Sequence, residues 1–330
     1  LAVAFEKRGV EQRAVIRTDA DRATRLRAAG IDVTELRFGG PFDLASRRGL
    51  RAELKTFRPD VVLSFMSRAA ALCPGPGADL GYLHVGRLGG YYDLKYYRTC
   101  DHLVGNTPDI RAYLIAQGIP EDRAHYLPNF AEEGAAEPIE RERHGTPADA
   151  PLLVALGRLH ENKAFDVLLY ALAAVPAAYL WLAGEGPLRA DLEAQARSLG
   201  IADRVRFLGW QDDPRPVIAA ADVVVVPSRH EPLGNVILEA WAQAKPVVAA
   251  ASSGPKQLIE DGRSGLLAEV DDAAALARAI GTLIAAPDRR QALGVAGRAV
   301  FDERFGEETV TRAYLDLFQS LIAQRHGDST

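Results

Sequence analysis

The sequence predicts an α/β protein of two domains, each built on a parallel sheet. Strand-like apolar runs alternate with helical segments along the whole 330-residue chain, an order typical of βα units. Several runs, such as residues 223–226, are apolar at every position, as expected of strands that helices cover on both faces. Residues 131–150 are rich in Glu, Ala and Pro, lack periodicity and separate the two strand series, so we expect a linker there.

Each strand is expected where an apolar run is bounded by turn-forming residues. The first domain, residues 1–130, is predicted to contain strands at 12–18, 31–36, 61–65, 81–85, 102–105 and 125–127. The second domain, residues 151–310, is predicted to contain strands at 152–156, 178–183, 205–208, 223–226, 246–250 and 265–267. Open parallel sheets bind ligands outside the carboxyl ends of their strands, so functional residues are expected directly after these runs.

The charge pattern argues against a nucleic-acid-binding protein, which would show a basic face and a high pI. The formal net charge is −5, although the first 68 residues hold 14 Lys/Arg against 9 Asp/Glu. The densest basic stretch lies on a predicted helix and comprises Arg47, Arg48, Arg51, Lys55 and Arg58, with Leu50, Leu54 and Phe57 interspersed. Two interpretations remain: contact of residues 47–58 with an anionic membrane surface or, more simply, a solvated helix face.

Cysteine usage indicates a protein of a reducing compartment. The two cysteines, Cys73 and Cys100, lie far apart and form no CxxC pair, so neither a disulfide framework nor a structural zinc site is expected. No apolar run approaches the roughly 20 residues that a membrane span needs, and no leader sequence is recognisable. A cytoplasmic protein is expected, with any membrane contact peripheral and on the inner face.

The segment that says most about function follows the predicted strand at 223–226. It carries two glutamates, Glu231 and Glu239, and a helix is predicted to begin between them, near Gly234 or Asn235. A helix N-terminus offers unpaired N–H groups and the positive end of the helix dipole, which suit a phosphate group. Carboxylates converging on such a site would accept hydrogen bonds from hydroxyls beside the phosphate.

This pair of glutamates, inside a Pro-Ser…Glu…Leu-Gly…Leu-Glu-Ala frame, resembles the signature of the GT-B retaining glycosyltransferases of family 4. Further segments resemble other blocks of that family in the same order: residues 155–163, 180–187, 205–210 and 258–267. The resemblance covers residues 151–310 closely and the first half loosely. It implies two Rossmann-like domains facing each other across a cleft, with a terminal helix at 311–330 returning to the first, acceptor-side domain.

The resemblance also implies roles for particular residues. Glu231 would contact hydroxyls of the donor sugar, Glu239 would accept from the ribose, and Arg158 and Lys163 would neutralise the diphosphate. The implied catalytic residues are Glu231, His84, Arg158 and Lys163, and the implied donor-binding residues are Gly157, Arg158, Lys163, Gly184, Leu208, Glu231, Leu233, Gly234, Asn235, Val236 and Glu239. Because the two cations make a metal unnecessary, neither a metal nor another cofactor is expected.

Several residues leave alternatives open. His84, expected to close a strand at 81–85, would touch the donor sugar in many relatives, but a buried structural histidine is an equal alternative. Pro232 stands where many relatives have glycine, which removes one N–H donor. Asp19 and Asp21 match a metal-binding pair of another glycosyltransferase fold, yet an N-cap explains them better.

The resemblance implies transfer of a sugar from a nucleoside-diphosphate sugar to a glycan or lipid-linked acceptor, with retained anomeric configuration, in cell-envelope polysaccharide or lipopolysaccharide synthesis. Two alternatives are a nucleotide-sugar epimerase and a catalytically silent nucleotide-sugar-binding subunit. The family's first strand and glycine-rich loop are missing before residues 1–9. Either the sequence is truncated at its N-terminus or the domain lacks this element, and we favour truncation because a parallel sheet without a central strand would expose unpaired backbone groups.

Overall fold

The computed structural model describes residues 1–40, 42–75 and 80–327 and divides the chain into two compact units. The first unit comprises residues 1–129 together with the described residues from Glu307 onward, and the second comprises residues 130–306. The sequence analysis predicted that the first domain ends at residue 130 and the second at residue 310. Residues 328–330, the end of the predicted terminal helix, lie outside the described residues.

The first unit contains parallel strands in two sheets. Its strands are β1 (Arg13–Arg17), β2 (Asp32–Leu36), β3 (Val61–Phe65), β4 (Leu83–Leu88), β5 (His102–Gly105) and β6 (Ala124–Tyr126). Its first helices are α1 (Ala2–Glu6), α2 (Ala20–Ala28), α3 (Leu44–Phe57), α4 (Met66–Leu72) and α5 (Pro108–Ala116). β1 pairs with β2, and the other strands form a separate sheet in the order β3-β4-β5-β6.

The second unit contains one six-stranded parallel sheet in the order β12-β11-β10-β7-β8-β9. The strands are β7 (Leu152–Leu156), β8 (Tyr179–Ala183), β9 (Val205–Gly209), β10 (Val223–Val226), β11 (Val247–Ala250) and β12 (Leu266–Ala268). The helices are α6 (Phe165–Ala173), α7 (Arg189–Ser198), α8 (Arg215–Ala219), α9 (Asn235–Ala242), α10 (Ser253–Leu258), α11 (Ala273–Ala285) and α12 (Pro287–Arg304). The strand order reverses between β7 and β10, and in such sheets that point is where ligands bind.

A final helix, α13 (Glu307–Gly327), packs within the first unit. Tyr314 on this helix is 1% exposed, and its hydroxyl accepts a hydrogen bond of 2.9 Å from Nε of Arg87 on β4. The ring of Phe5 on α1 lies 6.3 Å from that of Tyr314. Among the described residues, none of the helices combines the length and the apolar character that a bilayer span requires.

Residues 131–150, the predicted linker, are bound to the second unit: Ile139 N donates to Pro216 O at 3.2 Å and Arg141 Nη2 donates to Ala220 O at 2.7 Å. Leu50 and Leu54 on the apolar side of α3 are buried inside the first unit, and its basic side chains are exposed. This arrangement fits a solvated helix face, and contact of residues 47–58 with a membrane stays a prediction. The N-cap interpretation is confirmed, since Asp19 Oδ1 accepts from Arg22 N at 3.0 Å at the start of α2.

The core of the second unit contains a helix contact that only glycine permits. Trp241 on α9 is fully buried, and its Nε1 donates to Ser264 O at 3.0 Å. A Cβ on Gly297 of α12 would lie 2.2 Å from Cδ1 of Trp241. Helix α12 therefore packs against the indole ring at a distance that no larger residue allows.

Two glycine-to-alanine substitutions should change stability in opposite directions. Gly281 lies inside α11 with nothing within 4 Å of a Cβ, so Gly281→Ala is expected to stabilise the protein by about 0.5–1 kcal/mol through helix propensity. Gly297→Ala gains the same propensity but forces α12 away from Trp241, and a net loss of about 1–3 kcal/mol is expected. Denaturant unfolding measures both, and stabilisation by Gly297→Ala would contradict the packing described here.

Candidate active site

The turns that follow β7 and β8 touch through their backbones. Gly157 after β7 has φ +141° and Gly184 after β8 has φ +137°. A Cβ on Gly184 would lie 2.1 Å from the carbonyl oxygen of Gly157, so glycine is required there. Gly184 N also donates to the carbonyl of Gly209, at the end of β9, at 2.7 Å. The carboxyl ends of three strands thus form one continuous backbone surface.

Two cations follow the end of β7. Arg158 is exposed and makes no ion pair with any of the residues that the structure describes. Lys163 ends a short 3₁₀ turn (Glu161–Lys163), its side chain is 24% exposed, and its Nζ donates to Oε2 of Glu231. The lysine that follows β7 therefore reaches the glutamate that follows β10, the neighbouring strand.

Glu231 is held by contacts on both its side chain and its backbone. Besides Lys163, its carboxylate accepts hydrogen bonds from Gly234 N at 3.2 Å and from Ser228 Oγ at 3.4 Å. Its carbonyl oxygen accepts from Gly254 N at 2.8 Å, in the first turn of α10, which follows β11. The side chain is 12% exposed, so the carboxylate keeps one open side and a fixed orientation.

Helix α9 begins at Asn235, as predicted, and Glu239 lies in its second turn. The N-cap, Gly234 with φ +96°, has no side chain that could cap the helix, although its own N–H donates to Oε1 of Glu231. Burial raises the pKa of Glu239 above its ordinary value, with Lys163 opposing the shift and Glu231 adding to it. Two carboxylates and a lysine therefore meet beside an uncapped helix N-terminus, where a phosphate-bearing ligand with hydroxyl groups would be complementary.

The remaining predicted donor-site residues lie around this point in different environments. Leu233 is 5% exposed, so its side chain belongs to the core and only its backbone could face a ligand. Leu208 lies within β9 and Val236 in the first turn of α9, both half-buried. The structure thus brings together residues of the second unit that are up to 82 positions apart, from Gly157 to Glu239.

The predicted position of His84 at the end of a strand is wrong, and its surroundings favour the structural alternative. Strand β4 runs on to Leu88, so His84 is its second residue and does not lie at its carboxyl end. The ring is fully buried in the first unit, with Nδ1 3.0 Å from Thr99 O and Nε2 3.0 Å from Ser64 Oγ. Burial lowers the pKa of His84, which favours a neutral imidazole.

Sequence reasoning missed Arg229, which lies two residues before Glu231 in the same loop. Its guanidinium binds both carboxylate oxygens of Asp166, at the start of α6, at 3.0 and 2.7 Å. A single chain offers no signal that separates such an arginine from a solvated one, because its partner lies 63 positions away.

Two family models match the chain. The model described as "Glycosyltransferase Family 4" matches residues 1–133, and that described as "Glycosyl transferases group 1" matches residues 150–286. The lipopolysaccharide core biosynthesis glycosyltransferase LpsE of Rhizobium meliloti is 39% identical over 328 residues, covering 97% of this chain and 94% of the relative. LpsD of the same organism is 36% identical over 332 residues and covers 98% of this chain and 94% of the relative.

Solved structures show the same fold. The crystal structure of Anabaena Alr3699/HepE in complex with UDP and glucose aligns with a TM-score of 0.83 at 21% identity, covering 97% of this chain and 94% of that one. The apo form of the lipopolysaccharide outer core galactosyltransferase WaaB aligns with a TM-score of 0.67 at 18% identity, covering 88% of this chain and 85% of that one. The two relatives and the family models show that the chain belongs to family 4 of the glycosyltransferases, and the solved structures show that its two Rossmann-like domains are of the GT-B type.

Proposed function

We propose that this glycosyltransferase moves a sugar from a nucleoside-diphosphate sugar to a lipopolysaccharide core or related cell-envelope acceptor. The observation that carries the donor assignment is the contact of Lys163 with Glu231 beside the uncapped N-terminus of α9, with Glu239 in the next turn. The lipopolysaccharide core relatives support the acceptor class. The HepE structures with UDP and UDP-glucose support the donor class.

The diphosphate is the part of the donor that this site would hold most strongly. The N-terminus of α9 offers backbone N–H groups and a partial positive charge, and Arg158 and Lys163 supply two full charges. Lys163 has three N–H donors, so it can keep its bond to Glu231 while it binds a phosphate oxygen. Because these cations can neutralise the leaving diphosphate, we propose that transfer needs no metal ion.

The two glutamates would divide the hydroxyls of the donor between them. Glu239, half-buried and in the second turn of α9, would accept hydrogen bonds from the ribose, which relieve the cost of desolvating its carboxylate. Glu231, which is 12% exposed and bound to Lys163, would accept from hydroxyls of the sugar ring. Both roles use the glutamates as ionised hydrogen-bond acceptors.

We propose that transfer retains the anomeric configuration by a front-face displacement. The carboxylate of Glu231 accepts hydrogen bonds from Lys163, Gly234 and Ser228, which fix its orientation and reduce its nucleophilicity. It is therefore suited to binding hydroxyls of the donor and unsuited to attacking the anomeric carbon. The bond from the anomeric carbon to the phosphate oxygen breaks, and that oxygen keeps the electron pair. The acceptor oxygen bonds to the same face of the anomeric carbon, and its proton passes to the leaving phosphate.

A thermal-shift panel of UDP, GDP and ADP and their sugars tests the donor site. A nucleotide at 100 times its dissociation constant should stabilise the protein by about 2.7 kcal/mol. Lys163→Ala should weaken binding by about 1.5–3 kcal/mol and Arg158→Ala by a similar amount, because each removes a charge-assisted hydrogen bond. Turnover should fall on the order of 10²–10³-fold.

Arg197→Ala provides the control, since Arg197 is another exposed arginine of the second unit, on α7. It should leave both binding and turnover unchanged, and EDTA should leave turnover of the wild type unchanged. Full binding of the nucleotide by Lys163→Ala and Arg158→Ala would exclude the proposed diphosphate site.

Glu239→Gln should stabilise the free protein and weaken donor binding at the same time. Because the folded-state pKa of Glu239 is raised, its ionised form costs stability in the free protein, and this cost sets in as the pH rises through that pKa. The neutral amide avoids the cost, so the melting temperature without ligand should rise. Donor affinity should fall by about 1.5–3 kcal/mol, since hydrogen bonds to a charged acceptor are lost.

The pH dependence of donor affinity tests whether Glu239 binds the donor in its ionised form. Affinity of the wild type for a nucleotide sugar, whose phosphates do not titrate in this range, should fall as the pH drops through the raised pKa of Glu239. Glu239→Gln should show a flatter profile in titration calorimetry. An identical profile in both proteins would rule out an ionised Glu239 as the ribose acceptor.

The stereochemistry of the product tests the displacement. With lipopolysaccharide core oligosaccharides as acceptors, the anomeric proton of the transferred sugar should show the same configuration as in the donor by NMR. An inverted product, or a glycosyl-enzyme trapped at Glu231 and detected by mass spectrometry, would contradict the proposed step.

A further inference from the structure

Arg229 makes four hydrogen bonds to three separate segments of the second unit. Its Nη1 and Nη2 bind the two carboxylate oxygens of Asp166 at 3.0 and 2.7 Å, and Nη1 also donates to the carbonyl of Glu161 at 2.9 Å. Its Nε donates to Oδ1 of Asp271 at 2.5 Å. The side chain is 30% exposed, and four of its five N–H donors bind protein groups.

The segments that Arg229 joins carry two charged groups of the donor site, Lys163 and Glu231. Glu161 and Asp166 lie on either side of Lys163, in the 3₁₀ turn and in the first turn of α6. Arg229 itself lies two residues before Glu231, and the next amide, His230 N, donates to Asn162 O at 3.2 Å. Residues 161–166 and 228–231 are therefore joined at the backbone and by the guanidinium, within a few residues of the Lys163–Glu231 contact.

We propose that Arg229 is a positioning residue that holds Lys163 and Glu231 at the separation that donor transfer requires. The inference rests on the proposed donor site. Arg229 would act through the segments it joins, because four of its five N–H donors already bind Asp166, Glu161 and Asp271. Misplacement of a reacting group by about 1 Å can reduce a rate about 10²-fold.

A guanidinium is better suited than an ammonium to holding two chain segments in a fixed position. Its planar fork binds both oxygens of one carboxylate and fixes their direction, whereas a lysine ammonium is a single point charge on a flexible stem. Partly exposed ion pairs contribute little to global stability, so the loss of Arg229 should affect the site more than the fold.

Arg229→Gln and Arg229→Lys test the proposal against Arg298→Gln. Arg298 on α12 is matched in exposure, at 34%, and also binds both oxygens of an aspartate, Asp302, and one backbone carbonyl, that of Ala242. Turnover is followed as nucleoside diphosphate released from UDP-glucose, UDP-galactose and GDP-mannose. Nucleotide affinity is followed by thermal shift with UDP and GDP.

Arg229→Gln should lower kcat about 10²-fold while nucleotide affinity changes less than about threefold, because Lys163 on its flexible stem still reaches the diphosphate after a shift of about 1 Å. Arg229→Lys should recover little of the lost kcat. Asp166→Asn should reproduce the loss, and the double variant Arg229→Gln/Asp166→Asn should lose no more than either single variant. Arg298→Gln should keep wild-type kcat.

Amide hydrogen exchange of the ligand-free proteins gives a readout that needs no donor. Peptides covering residues 160–166 and 228–234 should exchange faster in Arg229→Gln than in the wild type and in Arg298→Gln. If exchange rises but the wild type binds no nucleotide, the structural role of Arg229 is supported and the proposed donor site is wrong. Unchanged exchange in these peptides, or wild-type kcat in Arg229→Lys, would overturn the positioning role.

Discussion

The contact between Lys163 and Glu231 is the interaction on which the site of the second unit depends. The two residues are 68 positions apart in the chain and meet because β7 and β10 are neighbours in the sheet, although β8 and β9 lie between them in sequence. Each strand end alone carries only one half of a charge-complementary pair. The reversal of strand order between β7 and β10 turns these halves into one site, which is why such a point recurs as a ligand-binding position in open parallel sheets.

Close backbone approach is the second constraint, and it explains why glycines stand at the strand ends. The turn after β8 can reach the turn after β7 only if Gly184 has no Cβ. Gly254 plays the same part on the other side of the site, since a Cβ there would lie 2.5 Å from the carbonyl oxygens of Glu231 and Leu233. The loops around the site are thus fixed by main-chain contacts, which a ligand would meet already in place.

Most strands and the start of α9 could be predicted from sequence because they depend on local patterns: apolar runs at fixed spacing and turn residues at their ends. The carboxyl end of β4 could not be predicted in this way. The strand was expected to end before Gly86, but Gly86 lies inside it. A Cβ there would come within 2.9 Å of Tyr97, Leu103 and Cys100, so glycine is needed for packing and not for a turn. The same local pattern can mean a turn or a tight packing contact, and only the tertiary neighbours distinguish the two. His84 was misplaced for this reason. The roles of Arg229 and of residues 131–150 also depend on distant partners, which single-chain patterns do not report.

The position of α13 has a consequence for synthesis of the chain on the ribosome. The second unit lies between α1 and α13 in the sequence, and α13 covers Phe5 and hydrogen-bonds Arg87 through Tyr314. Until α13 has been synthesised, the aromatic surface of α1 lacks this cover, although every strand of the second unit precedes α13 in the chain. During synthesis the second unit should therefore complete its fold before the first, the reverse of the usual N-terminal-first order. The uncovered Phe5 region is where a chaperone would bind the nascent chain.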